Sequence, residues 1–246
     1  MTALVTAPAI DSGLGEELSA DLAAAALVLA RRFAAGATLW CLAPAWEPHA
    51  HHVAVEFVHP VIVGKRALPA VAVTGPDPVA ALRVSAEPDD IVLAVAAADD
   101  PAVRSVMRRA PAWGLTTLWI GGGARPDPGA ADHVLWLDDP DPRLPATGGF
   151  VLLYHLLWEL THVCFEHPGL LTPAASDCAD LVCVTCRDEG RLGEVIVRRP
   201  DGHAAVRTAQ GEELVATMLV DPVEPGDLVL VHAGTAISKL TDEARP

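Results

Sequence analysis

Apolar and polar stretches alternate along the first two thirds of the chain and predict strands and helices in turn. Short, almost wholly apolar runs are typical of strands buried on both faces of a sheet, and the amphipathic or alanine-rich stretches between them predict helices. The predicted strands cover residues 38–43, 67–73, 91–97, 115–123 and 133–137, and the predicted helices cover residues 14–35, 49–60, 99–110 and 148–166. This alternation indicates a parallel sheet with helices on both faces.

The pattern changes after residue 165. A stretch rich in proline and small residues is followed by short segments with strand character, separated by turn pairs such as Asp-Gly and Pro-Gly. These predicted strands cover residues 181–186, 192–199, 203–208, 212–219 and 227–234. Five short strands in so few residues predict a small antiparallel β-barrel. We therefore predict an α/β domain at 1–172, a linker at 173–180 and a β-barrel domain at 181–246.

Composition narrows the classes of partner. The 246 residues are 51% hydrophobic, enough for two cores, and carry a net charge of −15. Nucleic-acid binders show a basic stripe and anionic membranes attract basic segments, so we expect neither partner. The apolar runs are too short to span a membrane, and the N-terminus lacks the basic flank of a secretory signal. We expect a cytoplasmic protein whose five cysteines are reduced.

Two of these cysteines form a CVTC motif at Cys183 and Cys186. A structural zinc site would need further ligands, for which only Cys178 and His203 are near in sequence. A thioredoxin-type redox pair should open a helix, whereas this pair lies in a strand-like segment. The two thiols could also be half-buried and inert. The motif alone leaves these alternatives open.

The segment GDLVLVHAGTAI at residues 226–237 argues against inert thiols. It resembles the closing element of the HypC/HupF family of hydrogenase maturation chaperones. Members are small β-barrels with a C-terminal helix, so the resemblance implies such a helix at residues 238–245. It also implies that Cys183, with Cys186 and His232 nearby, contacts iron carrying cyanide and carbonyl ligands. The implied partners are a HypD-like protein and the precursor of a nickel-iron hydrogenase large subunit. A thiolate is a suitable soft ligand for such iron.

One departure from the family concerns the position of the cysteine. In the family it directly follows the initiator methionine, whereas Cys183 is internal and follows a whole domain. A free α-amine beside the thiol is therefore absent here.

The N-terminal part resembles the sugar isomerase (SIS) domain, in its phosphoheptose isomerase branch. The resemblance rests on the segments HVAVEF (52–57), ALPAVAVT (67–74), ADHV (131–134) and HLLWEL (155–160). It implies a three-layer αβα fold and a metal site formed by His52, Glu56 and His155, suited to zinc or nickel. The family's fourth ligand, a glutamine, falls near Thr147. The alternative is that Glu56 and His155 are buried and simply hydrogen-bonded to each other.

The loop that holds phosphate in SIS enzymes has lost its hydroxyl groups. Here the loop is Ala98, Asp99 and Asp100, and one of the two aspartates is expected to cap the helix that begins at Pro101. Two carboxylates would repel a phosphosugar.

These features favour a maturation factor or scaffold over an enzyme. The alternatives are a metal-dependent, isomerase-like enzyme and a small-ligand sensor, each recruited through the barrel. We also expect a homodimer or higher oligomer that pairs through the apolar helix at 148–166.

Overall fold

The computed structural model describes residues 15–138, 149–172, 190–220 and 222–240. Several predicted features lie outside these residues: the linker, the strand at 181–186 with both cysteines of the CVTC motif, and Thr147. The helices are α1 (Glu16–Ala34), α2 (Glu47–Val58), α3 (Pro78–Ser85), α4 (Pro101–Arg109) and α5 (Gly149–Glu166). The strands of the first domain are β1 (Leu39–Leu42), β2 (Ala70–Val73), β3 (Ile91–Val95), β4 (Thr116–Gly122) and β5 (His133–Leu137).

The first domain is a parallel five-stranded sheet in the order β2-β1-β3-β4-β5. The central strand β3 is buried along its whole length, as its unbroken apolar sequence requires. Ile91, Leu93 and Val95 pack with α1, α2 and α5, whereas Val92 and Ala94 pack with α3 and α4 on the opposite face. This confirms the predicted parallel sheet between two helical layers.

Helices α1 and α4 show how local sequence sets the ends of these elements. Glu16 and Glu17 lie in the first turn of α1 and Arg31 and Arg32 in its last turn, the order that the helix dipole favours. Of the two aspartates before α4, Asp100 is the cap: its carboxylate accepts hydrogen bonds from the backbone N–H groups of residues 102 and 103. Helix α3 was not predicted, because it is only eight residues long.

The second domain is a closed barrel in the order β10-β8-β7-β6-β9. Its strands are β6 (Arg191–Arg198), β7 (His203–Thr208), β8 (Gly211–Ala216), β9 (Leu228–His232) and β10 (Thr235–Leu240). Four of the pairings are antiparallel, and the barrel closes through one parallel contact between β10 and β8. The core consists of small and β-branched side chains such as Val195, Val206 and Val229. The predicted barrel fold is confirmed.

One element of the barrel was predicted wrongly. The helix expected at 238–245 begins in what the structure shows as strand β10, which runs to Leu240. Residues 235–240 pair with β9 across the turn at Ala233 and Gly234. Their backbone N–H and C=O groups bond to the neighbouring strand, whereas in a helix they would bond within the segment itself. Residues 241–246 lie outside the described part.

The two domains contact each other through a buried carboxylate. Glu194 of β6 accepts hydrogen bonds from Arg83 Nη2 at 2.6 Å, Arg83 Nε at 3.2 Å and Trp113 Nε1 at 2.8 Å. Arg109 Nη1 lies 3.5 Å from the same carboxylate and donates to the backbone oxygen of Gly226 at 2.7 Å. Leu228 of the barrel packs into the core formed by α3 and α4. The barrel is therefore held against one helical layer of the first domain.

Candidate functional site

Helices α2 and α5 bring together the three side chains predicted as metal ligands. His52 and Glu56 are four residues apart on α2 and so share one face, and His155 faces them from α5. Glu56 Oε1 lies 3.3 Å from His52 Nε2 and 3.5 Å from His155 Nε2, and the two Nε2 atoms are 3.3 Å apart. The side chains of His52, Glu56 and His155 are 37%, 19% and 45% exposed, so Glu56 and His155 are not buried as the alternative interpretation required.

The geometry of this triad fits a tetrahedral ion. Ligand bonds of about 2.0–2.1 Å separate the ligand atoms of a tetrahedral metal by about 3.3–3.4 Å. The three observed separations, 3.3, 3.5 and 3.3 Å, are close to this value. Two imidazoles and a carboxylate are a donor set typical of zinc, nickel or iron(II). Within the described residues these three form a group that could hold a metal ion, with at least one coordination position left open.

Tyr154, which the sequence did not single out, orients this triad. Its hydroxyl lies 2.8 Å from His52 Nδ1 and 3.3 Å from His49 Nδ1. When His52 Nδ1–H donates to Tyr154 and the hydroxyl donates to His49, His52 Nε2 carries a lone pair directed at Glu56 and His155. Outer hydrogen bonds of this kind fix the tautomer of metal-binding histidines. Burial, together with the Glu56 carboxylate, raises the pKa of Tyr154 to about 12, so the phenol remains neutral.

The loop before α4 is not arranged to hold phosphate. Asp100 occupies the exposed amides of the helix start with its own carboxylate, as described above, and so fills the position that an anion would take. Ala98 and Asp99 line a cavity beside this loop. The backbone N–H groups of residues 102 and 103 are therefore already occupied by Asp100.

In the barrel, His232 ends β9 and is half-buried. The antiparallel register pairs Arg191 with Val231, so Gly190, the first described residue of the barrel, comes opposite His232. Cys186 is four residues before Gly190 and Cys183 seven. Their contacts lie outside the described residues.

The described residues include two cysteines, both in the first domain. Cys41 lies in β1 and Cys164 in α5, and both are buried. Burial raises the pKa of each thiol, and Cys41 in particular stays protonated. Both therefore act as small apolar side chains.

Comparison with known proteins found a family match within the barrel and several solved structures of similar fold. Residues 193–245 match the HupF/HypC family. A phosphoheptose isomerase from Francisella tularensis is similar in structure over 60% of this chain and 92% of its own, with 16% identity and a TM-score of 0.47. A phosphoheptose isomerase from Neisseria gonorrhoeae is similar over 61% of this chain and 87% of its own, with 15% identity and a TM-score of 0.48. No curated protein matches the chain.

The helices of the described residues were also compared with the needs of a membrane span. None of them combines the length and the apolar character that crossing a bilayer requires.

Proposed function

We propose that this protein is a maturation factor for nickel-iron hydrogenase that handles the Fe(CN)2CO precursor of the active centre through its barrel. Cys183 supplies the iron-binding thiolate, and Cys186 and His232 contribute to the same site. The observation that carries this proposal is the match of residues 193–245 to the HupF/HypC family. The register that brings Gly190 opposite His232 supports it, because the cysteine segment leads directly into that position.

The proposed partners are a HypD-like protein and the precursor of the hydrogenase large subunit, met in the cytoplasm. The test is affinity capture of both partners from cells that make the maturation machinery. We expect Cys183→Ser to reduce capture of the HypD-like partner at least tenfold, because serine is a poor ligand for low-spin iron. Cys178→Ser is the matched control, since it removes a nearby thiol outside the motif. Equal capture by wild type and Cys183→Ser would exclude the proposed role of this thiol.

A second proposal concerns the first domain, where His52, Glu56 and His155 would hold a zinc, nickel or iron(II) ion. The near-tetrahedral spacing of the three donor atoms supports it. Such an ion would supply a Lewis acid and a coordination position for a ligand. Metal analysis of purified protein should find about one ion per chain that is lost in His52→Ala and retained in Cys183→Ser. Retention of the ion in His52→Ala would contradict this assignment.

The alternative function, an isomerase-like enzyme, receives less support. Asp100 fills the anion position of the helix start, so a sugar phosphate would lose its main anchor. Turnover of a sedoheptulose phosphate by the purified protein would favour the enzyme over the chaperone. We also propose a homodimer that pairs through α5, on which Leu152 is 53% exposed, to be tested by the molar mass in solution.

A further inference from the structure

A cavity of about 540 Å³ lies where α4, the β4–β5 connection and the barrel meet. Most of its lining is apolar: Met107 of α4, Trp119 of β4 and Leu192 of β6 contribute, together with two prolines of the connection. Its volume falls within the range of about 300–1,000 Å³ that is usual for small-molecule sites, which combine a mainly apolar lining with a few polar groups. The lining therefore suits a ligand with an apolar body.

Charged side chains of both signs line this cavity, and three of them have no partner within the described part of the chain. These are Arg104 of α4, Asp99 before that helix and Asp127 of the β4–β5 connection, none of which makes a side-chain hydrogen bond or ion pair there. The other two arginines of the lining, Arg108 and Arg125, already have interactions of their own. The cavity thus offers one guanidinium and two carboxylates to a ligand.

The two aspartates before α4 have different surroundings. Asp100 caps the helix, so its carboxylate is occupied by the backbone N–H groups of residues 102 and 103. Asp99 makes no such bond and lines the cavity. Arg104 lines the same cavity but does not come within ion-pair distance of Asp99 or Asp127. Opposite charges that line one cavity without pairing leave space for a ligand that contacts both.

We propose that this cavity binds a small zwitterion with an apolar side group, that is, an apolar α-amino acid. Its ammonium group faces Asp99 and Asp127, and its carboxylate accepts hydrogen bonds from the Arg104 guanidinium, which binds carboxylates in a bidentate way. Its side group packs on the apolar lining. The two carboxylates disfavour a purely anionic ligand, and Arg104 disfavours a purely cationic one. The site is separate from the metal triad and from the iron site proposed above.

The test is calorimetric titration of the full-length protein with three probes that share one apolar group. They are L-phenylalanine, 3-phenylpropionate, which lacks the ammonium group, and phenethylamine, which lacks the carboxylate. The ionic strength is held constant because salt screens such contacts, and a chelator ensures that phenylalanine does not bind through a metal ion. We expect saturable binding of phenylalanine in the millimolar range or tighter, and binding of each analogue at least about fivefold weaker. No binding of phenylalanine, or equally tight binding of either analogue, would overturn the proposal.

Substitutions of the charged lining separate the two ends of the ligand. Arg104→Gln should weaken phenylalanine binding at least about fivefold and leave phenethylamine binding unchanged. The double variant Asp99→Asn and Asp127→Asn should weaken binding of phenylalanine and phenethylamine but not of 3-phenylpropionate. Arg199→Gln is the matched control, because Arg199 is exposed on the barrel and does not line the cavity. Unchanged phenylalanine affinity in Arg104→Gln, or an equal loss in Arg199→Gln, would contradict the assignment.

The apolar wall that the barrel supplies is tested separately. Leu192→Ala should weaken all three probes alike, because their common apolar group loses a contact. Leu214→Ala is the control, since Leu214 is 49% exposed on the barrel and does not line the cavity. Thermal unfolding shows that each variant is folded. Wild-type affinities in a folded Leu192→Ala protein would place the ligand elsewhere and so overturn the proposal.

Discussion

The contact between the domains depends on one carboxylate, and replacing it is the sharpest perturbation that the structure offers. In Glu194→Gln the side chain keeps its shape but loses its charge, and one of its two acceptor oxygens becomes a donor. Two hydrogen bonds from Arg83 and one from Trp113 converge on this carboxylate, whose side chain is 4% exposed. At least one of these donors is then left without an acceptor.

The loss of stability expected for Glu194→Gln follows from how deeply Glu194 and its partners are buried. Breaking a buried ion pair by removing one partner costs about 3–5 kcal/mol, and an unsatisfied buried donor costs about 1–3 kcal/mol. Arg109 is 16% exposed, but Arg83 is 37% exposed and regains water when the pair is broken. We therefore expect Glu194→Gln to lower the free energy of unfolding by about 2–4 kcal/mol. Glu224→Gln, which alters an ion pair 3.8 Å long between exposed partners, should cause no measurable change.

The distribution of tryptophans allows the two domains to be followed separately. All six, at positions 40, 46, 113, 119, 136 and 158, belong to the first domain. Tryptophan fluorescence during urea unfolding therefore reports that domain, and amide hydrogen exchange of β6 and β7 reports the barrel. In Glu194→Gln we expect faster exchange in β6 and β7 and a lower urea midpoint for the fluorescence. A loss below 1 kcal/mol, with unchanged exchange in the barrel, would refute the view that Glu194 holds the domains together.

Three further predictions concern Tyr154 and a tight contact in the sheet. Tyr154 is the only tyrosine of the chain, so its near-ultraviolet absorbance titration should give a midpoint of about 12. The pKa of Tyr154 is higher in the folded state than the unfolded value of about 10, so ionisation of the phenol favours the unfolded chain. The free energy of unfolding should therefore be unaffected by this group below pH 10 and should fall as the pH rises towards 12. A folded-state midpoint near 10 would contradict the burial of the phenol. Tyr154→Phe should weaken metal binding by about 10- to 100-fold without preventing folding, measured by competition with a chelator, whereas unchanged affinity would show that the hydroxyl does not orient His52. Gly121→Ala should destabilise the protein by about 3 kcal/mol in thermal unfolding, because its Cβ would lie 2.2 Å from the Trp136 ring and 2.5 Å from the oxygen of Ala96. Gly169→Ala, which meets nothing within 4 Å, is its control, and equal effects of the two changes would contradict the packing.

The strands of the first domain could be predicted from the sequence because burial on both faces demands continuous apolar runs. The predicted strand at 133–137 coincides with β5, and those at 38–43 and 91–97 extend β1 and β3 by one or two residues. Strand β10 could not be predicted in the same way. The last three residues of its sequence TAISKL show no alternation of apolar and polar residues that distinguishes a strand from a helix. Tertiary pairing with β9 decides its conformation.

The clustering of His52, Glu56 and His155 was predictable because an i, i+4 pair on one helix fixes its own geometry, and a second motif supplied His155. Tyr154 was missed although it precedes His155 in sequence, because a tyrosine in an apolar helix gives no signal of its hydrogen-bond partners. Glu194 was missed for the same reason: its role depends on Arg83 and Arg109, which are distant in sequence and approach it only when the domains are in contact.

The proposed function requires that the thiolate of Cys183 binds iron carrying cyanide and carbon monoxide. Its most direct test is the infrared spectrum of the full-length protein, purified from cells that also make the other maturation proteins. We predict cyanide and carbonyl stretching bands in wild type and in Cys178→Ser, and their loss in Cys183→Ser. Absence of these bands from the wild type, or their persistence in Cys183→Ser, would contradict the claim.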